Sequence, residues 1–521
     1  MRKLLLWLLA TTLTLSCEHR VAQSEPLDTI AAEQPLPTLP DTALPSAQAI
    51  TYTIEIADTT DDGTLSSLEN LYTGEQGWFT FRANARRDAD YGGTVRGTPS
   101  MVVKDWQFDT HFDTTATPMG TWGGGTGWTG QPLYIKWSED ELAQFRQSSP
   151  ALTSDFGREE IIISSLCGKV YFLNFHNGRE SRHNIDVTNP IKGTSSLEPT
   201  ARRLLFVGQG IPKVAPMGQI AIDLLHHRRT FFSGADRKAH RGWHAFDSSP
   251  VCVGGYLFWP GENGTIYKYK IRDTTLTLHS ALRYRCRGVA PGVENSLCVY
   301  NNYGFFGDNA GNIICIELNT LRPIWHYNNH DDIDATIVCA VENGVPYLYS
   351  GCEVDKQGDS GICHFVKLNA LDGTLVWEQQ LPCRKLHLNG KHFDGGLYCT
   401  PLLGQGDCDS LIFANICQRE SNSTAEFTAF HKQTGEIVYR TPLAAFAWSS
   451  PVAFYNERRQ LFVFTGDSHG NAYLIEGRTG RIIFKERMVN NFESSPVVVG
   501  NHLVVGSRGK EIYRFSVVSK P

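Results

Sequence analysis

The chain has 521 residues, 41% of them hydrophobic and 20% charged, with a formal net charge of −6. A net acidic chain offers no basic surface for phosphate neutralisation, so nucleic acid is not an expected partner. Glycine is abundant at 48 and aromatics reach 11%, a composition that suits many short strands joined by tight turns.

In chain order, "MRKLLLWLLATTLTLSC" has two basic residues, an apolar core and small residues before Cys17. Residues 1–16 read as a secretory signal peptide. Cys17, directly after Leu-Ser, sits where a bacterial lipobox places its lipidated cysteine, although Thr14 stands where that motif usually has leucine. Residues 17–48 are rich in proline and alanine without periodicity and read as a lipid-anchored flexible tether. Together these features place the protein in a bacterial envelope, in the periplasm or at the cell surface, held to a membrane by its lipid. Nothing after residue 16 resembles a spanning run of about 20 apolar residues.

Residues 49–99 are a lead-in segment. Within it, "DTTDDGTLSSLE" matches the spacing of an EF-hand calcium loop, with Asp58, Asp62 and Glu69 as ligands. The preceding "TYTIEIA" reads as a strand where an EF-hand needs a helix, so a polar connecting loop is the competing reading.

Residues 100–521 are repetitive. "SSPV" occurs at 248, 449 and 494. The unit continues through an apolar strand, "LxFxG", a Gly-Asp or Gly-Glu turn, a second strand, "xTGxxxW" and a final strand. Units begin near 129, 195, 248, 292, 334, 396, 449 and 494, a period that belongs to propeller blades or large solenoids. The last unit lacks its fourth strand. An orphan strand at 100–110, "SMVVKDWQFDT", supplies it, its Trp106 standing where Trp325 and Trp377 stand in other fourth strands. The expected fold is therefore all-β: an eight-bladed β-propeller of four-stranded blades, closed by an N-terminal strand that completes the last blade and leaves no open edge. The turns "GDNAGN" and "GDSHGN" read as symmetric hairpin turns rather than metal loops.

The repeats "KLNALDGTLVWEQ" and "FHKQTGEIVYR" resemble the pyrroloquinoline-quinone-type propeller repeat, and "WFTFRANARRD" resembles the opening motif of that superfamily. The likeness runs from residue 78 to 518. Its members include quinoprotein dehydrogenases and the scaffold lipoprotein of the outer-membrane β-barrel assembly machinery. The resemblance to the enzymes implies a quinone held by adjacent cysteines, Ca²⁺ and a catalytic aspartate. This chain has no adjacent cysteines, so pyrroloquinoline quinone is not expected, no catalytic residue is assigned, and calcium is kept only as a candidate ion.

The residue before each inner strand is acidic in five units: Asp247, Glu294, Asp334, Asp394 and Glu493, with Trp448 in the equivalent place of a sixth. Ring symmetry would gather these carboxylates at a channel rim, where repulsion raises pKa values or recruits cations. Lys192, Arg241, His244, His330 and His392 are candidate neutralisers. Two readings compete, a turn-shaping role and a cation or ligand site. Trp128, Trp243 and Trp448 on the same loops, with Trp122 nearby, suit sugars, ammonium groups or peptides, or else pack between blades. The 12 cysteines after Cys17 lie mostly in strand-like runs as small core residues. Cys352 and Cys363 flank a hairpin at a spacing that permits a cross-strand disulfide.

The function that follows is a non-enzymatic, monomeric scaffold of the envelope that docks a protein partner through its loops. The alternatives are a glycan- or small-ligand-binding propeller using the acidic and aromatic rim, and a quinone-dependent oxidoreductase.

Overall fold

The computed structural model describes residue 40 and residues 42–519, apart from 70, 73–75, 90–91, 129, 215, 389 and 420–423. The expected signal peptide, Cys17 and most of the expected tether lie outside the described residues. What is described is nearly all β. Its sheets are short antiparallel meanders whose strands follow chain order, spanning residues 133–186, 196–233, 251–286, 298–328, 338–384, 395–443, 452–487 and 497–518. The inner strands of a sheet are apolar runs buried on both faces, such as Val251–Val253 and Tyr256–Gly261, because neighbouring sheets cover each side. The outermost strands are half exposed, as in Ile482–Arg487.

The hairpin turns hold themselves together. Asp308 accepts from the amides of Ala310 and Asn312, both at 3.0 Å, and from the Asn312 side chain. Asp467 repeats the pattern with His469 and Asn471. These two turns are structural, as their sequence suggests.

Adjacent sheets are locked by one recurring contact. Trp325 Nε1 donates to the carbonyl of Ala370 in the next sheet at 3.1 Å, and Trp377 Nε1 to that of Lys432 at 2.9 Å. Each indole lies against a turn glycine with positive φ, Gly373 (+73°) and Gly435 (+74°), where a Cβ would come within 2.6 Å of the ring. Only glycine fits both the backbone and the space. Trp106 makes the same contact with the 133–186 sheet, donating to Phe175 O at 3.0 Å beneath Gly178. Its strand, Met101–Asp109, pairs antiparallel with Glu511–Val518 and supplies the fourth strand of the 497–518 sheet.

The lead-in segment is woven into the body. Ile50–Ile56 adds a fifth strand to the 251–286 sheet by pairing with Leu276–Cys286. Residues 77–89 and 92–97 then run along the inner edges of the sheets. Phe79 O accepts from Leu197 N, Ala85 O from Val299 N, and Arg86 O from Cys339 N; Thr94 N donates to Gly500 O and Val95 N to Tyr455 O. Gly77–Trp78 pairs with Tyr134 and Ile135. Two fully buried arginines reach the other inner edges. Arg82 donates to Pro451 O at 2.9 Å and towards Pro401 O, while Arg87 donates to Leu297 O and Ser249 O, both at 2.9 Å. Arginine suits this place because its fixed fork satisfies several carbonyls that water cannot reach.

One element has no counterpart in the repeat: the helix Glu139–Ser148, set inside the 133–186 sheet. Ser138 and Glu141 form its capping box. Phe145 on its buried face lies 4.1 Å from the guanidinium of Arg182, which is also paired with Glu160 at 2.9 Å.

Candidate functional site

The "SSP" steps bring the acidic positions together by linking each inner strand to the next. Ser249 N donates to Ser296 Oγ at 2.8 Å, Ser296 N to Thr336 Oγ1 at 3.1 Å, Thr400 N to Ser450 Oγ at 3.0 Å, and Ser450 N to Ser495 Oγ at 3.1 Å. The small hydroxyls thus carry the turn-shaping role, and the preceding carboxylates turn to other partners.

Asp247 and Glu294 converge on Lys192. Its ammonium pairs closely with Asp247, lies 3.8 Å from Glu294, and sits 5.9 Å from the ring of Trp128. Glu262 completes the group, with carboxylate oxygens of Asp247, Glu262 and Glu294 within 4.8 Å of one another. Trp243 Nε1 donates to Glu262 at 2.8 Å. Burial, with repulsion from Glu294 and Asp247, pushes the Glu262 carboxyl well up; burial also raises Glu294, against the pull of Lys192. Burial alone would lower Lys192, but Asp247, Glu294 and Glu262 outweigh it and hold the lysine above its ordinary value.

Beside this group lies a second acidic set. Asp334 is raised by burial and by Glu294 and Asp332, and Glu353 by burial and by Asp334, to which it hydrogen-bonds. Asp332 rises to about 7 through burial and the charges of Glu294, Asp355 and Asp331, opposed by Lys356 at 3.7 Å. Asp394 pairs with Lys385 at 2.9 Å. Glu493 sits apart, 3.6 Å from Arg508, whose guanidinium covers Trp122 at 4.9 Å. The aromatics form one chain, Trp128 to Tyr398 at 6.1 Å, Tyr398 to Trp448 at 6.0 Å, and Trp448 to Phe446 at 4.8 Å. Trp128, Glu294, Asp334, Tyr398 and Trp448 line a cavity closed by Phe81 of the lead-in. Its free space is about 10 Å³, enough for about one water.

Of the residues singled out in the sequence, Asp247, Glu294, Asp334, Trp128 and Trp448 are gathered here, with Trp243 behind Glu262. Asp394 and Glu493 are held by their own cations. Lys192 is the main neutraliser, and Arg241 acts on Glu294. The three histidines lie with other partners: His244 faces Asn263, His392 its hairpin neighbour His387, and His330 stacks on His364. Glu262, Asp332, Glu353, Tyr398 and Lys385 were not foreseen. Glu262 lies in "GENG", where a turn role hides it, and Glu353 occupies a position that the repeat does not mark.

Two further expectations have different outcomes in the structure. Asp58, Asp62 and Glu69 do not converge: Asp58 and Asp62 accept from their own turns, at Thr60 N and Thr64 N, and Asp58 lies 3.6 Å from Arg272. The preceding element is the strand Ile50–Ile56, so no helix–loop–helix cradle exists there. Cys352 and Cys363 are both buried free thiols, as are the ten other cysteines after Cys17. Cys352 Sγ instead accepts from His364 N at 3.2 Å, and the Cys363 thiol lies in hydrogen-bond contact with it.

Residues 423–519 match the sequence model of a PQQ-repeat family described as outer membrane protein assembly factor BamB. No curated protein sequence matches the chain. Quinohemoprotein alcohol dehydrogenase from Comamonas testosteroni superposes with a TM-score of 0.58 at 11% identity, over 86% of this chain and 82% of that one. The chain carries a PQQ-like β-propeller fold. The quinohemoprotein alcohol dehydrogenase of Pseudomonas putida HK5 gives 0.56 at 11% identity over 86% and 81%, and BamB from Moraxella catarrhalis gives 0.48 at 13% identity over 74% and 98%. The space between Trp128 and Trp448 admits about one water, and the chain has no adjacent cysteines to cover a planar ring.

Proposed function

We propose that this protein is a binding scaffold of the bacterial cell envelope, held by a lipid on Cys17, which docks a protein partner through its propeller loops. The sheet pattern supports eight blades of four strands. Trp106, docked on the 133–186 sheet as Trp325 and Trp377 dock on theirs, supports closure of the ring by Met101–Asp109. The observation that carries the scaffold reading is the filled axis. Residues 77–89 and 92–97 occupy the inner edges of the blades, and the cavity that Phe81 helps to line has room for about one water. Binding then falls to the outer loops, where a propeller offers broad surfaces. The match of residues 423–519 to an assembly-factor family points the same way.

The test is affinity purification from gently solubilised envelopes. The wild type is compared with a variant carrying Asp247→Asn, Glu294→Gln, Asp334→Asn, Asp394→Asn and Glu493→Gln. A stoichiometric membrane-protein partner in the wild type supports the scaffold, and its loss from a still-folded variant maps the contact to the rim. A propeller recovered alone from both refutes stable scaffolding. The aromatic chain Trp128–Tyr398–Trp448 beside carboxylates favours a second reading, a small cationic or sugar ligand at the mouth. A ligand selective for the folded state must raise the melting temperature, so thermal shift with glycans and Ca²⁺ separates this reading from the first.

A further inference from the structure

The stacked pair His330 and His364 brings together a donor set unlike anything at the mouth. His330 lies in the turn leaving the outer strand Pro323–Asn328 of one blade, while His364 and Glu378 lie on the hairpin strands Ser360–Asn369 and Leu375–Arg384 of the next. In that hairpin Gln380 pairs with His364 and Glu378 with Val366, so His364 and Glu378 share a face as diagonal neighbours. The two imidazoles stack at 4.2 Å, and His364 Nδ1 lies 2.5 Å from Glu378 Oε1. One ligand atom from each of the three residues lies within 4.8 Å of the others.

We propose that His330, His364 and Glu378 form a binding site for a divalent transition metal of the Zn²⁺ class, clamping two neighbouring blades. Two imidazole nitrogens and one carboxylate oxygen select borderline metals over Ca²⁺ or Mg²⁺, which take oxygen ligands. A tetrahedral centre with bonds of about 2.0–2.1 Å needs its ligand atoms about 3.3 Å apart, a distance that side-chain rotation reaches from the present spacing. The supporting contacts are in place. Gln380 Nε2 donates to Glu378 Oε2 at 3.2 Å, Asn329 Nδ2 to His364 O at 3.3 Å, and His330 N to Asn328 Oδ1 at 3.2 Å. Such outer contacts orient ligands before the metal arrives. The fourth position stays open to water.

The test titrates ZnCl₂ into chelator-stripped protein by calorimetry, with CaCl₂ and MgCl₂ alongside, and follows melting temperature in parallel. The expected result is one Zn²⁺ per chain, a raised melting temperature, and no response to Ca²⁺ at these residues. His330→Ala, at an exposed side chain, must match the wild-type melting temperature without metal and weaken Zn²⁺ by at least about 100-fold, the upper end of what loss of an outer-shell partner costs. Glu378→Gln must weaken it as well. Co²⁺ in place of Zn²⁺ must give the visible spectrum of a nitrogen- and oxygen-ligated site. Absence of stoichiometric Zn²⁺, or wild-type affinity in folded His330→Ala, overturns the proposal, the latter by placing the metal elsewhere.

Discussion

Replacing Lys192 with methionine keeps most of the side-chain length and removes the ammonium that faces Asp247 and Glu294. The lysine side chain is 16% exposed, and Asp247 is wholly buried, so little solvent is available to take over its role. Losing one partner of a buried pair strands the other charge and costs about 3–5 kcal/mol. The folded protein answers by binding protons on Glu262 and Glu294, whose carboxyls burial already raises. Their folded pKa values then exceed the unfolded carboxylate range near 4, so the folded state holds protons that the unfolded state has released. Stability therefore falls as pH rises above about 4, and the penalty is full only once the folded cluster has lost its protons. Lys192→Met should cost about 3–5 kcal/mol at pH 8 and much less at pH 5. With an unfolding entropy of about 2.1 cal/mol/K per residue over roughly 480 residues, the melting temperature should drop by about 3–5 °C at pH 8. Thermal melts and urea titrations of both proteins at the two pH values decide it. A loss below about 1 kcal/mol at pH 8, or an equal loss at pH 5, refutes the claim that Lys192 is the counter-charge of the mouth.

Two more substitutions probe the same region from different sides. Arg87→Lys removes a fork that satisfies Leu297 O, Ser249 O, Phe81 O and Thr80 Oγ1; with each stranded buried acceptor costing about 1–3 kcal/mol, urea titration should show a loss of about 4 kcal/mol, and a loss under about 1 kcal/mol would mean that residues 77–97 do not depend on the fork. Asp332 is raised from the usual carboxylate range to about 7, so it withdraws stability as pH climbs from about 4 to 7. Asp332→Asn, which mimics the protonated acid, should flatten the stability–pH curve in that window by up to about 4 kcal/mol, and an unchanged slope would exclude Asp332 as the titrating group.

What could be read from the sequence follows the symmetry of the fold. A contact made once per blade leaves a mark once per repeat. The indole that docks on the next blade's turn glycine is visible as Trp325, Trp377 and Trp106, and that visibility alone placed the strand at 100–110 against the end of the chain. The acidic step before "SSPV" was visible for the same reason. A residue used in a single blade leaves no such mark. Tyr398 stands two residues before Thr400, as Trp448 stands before Ser450, a repeated place that the sequence reading gave to Asp394 instead; Glu353 comes from a position the repeat does not mark, and the helix Glu139–Ser148 interrupts one blade only. Residues 77–97 are the extreme case. "FRANARRD" shows two arginines in a polar stretch, and polar stretches outside a repeat read as linkers. Only the folded protein supplies the inner-strand carbonyls that make buried arginines favourable there.

The same reasoning says where specific function should be sought in this molecule. Repetition builds a rigid frame and repeats one step from blade to blade, but a symmetric rim cannot by itself distinguish one partner from another. Discrimination comes from what breaks the symmetry. At the mouth, Lys192 neutralises one side, where Asp247, Glu262 and Glu294 meet, while Asp332, Asp334 and Glu353 crowd the neighbouring blade with raised pKa values. Burial and mutual repulsion hold the carboxyls of that side above the usual range, so their charge responds to whatever docks above them. A basic surface approaching the loops of residues 331–355 would favour their ionised form and gain several charge contacts at once. An acidic surface would find them unwelcoming. A partner that docks on the mouth is therefore expected to present lysine or arginine to this blade, and Asp334→Asn should weaken it more than Glu493→Gln, since Glu493 is already paired with Arg508. Equal losses from the two substitutions in the envelope purification would argue against a directional rim.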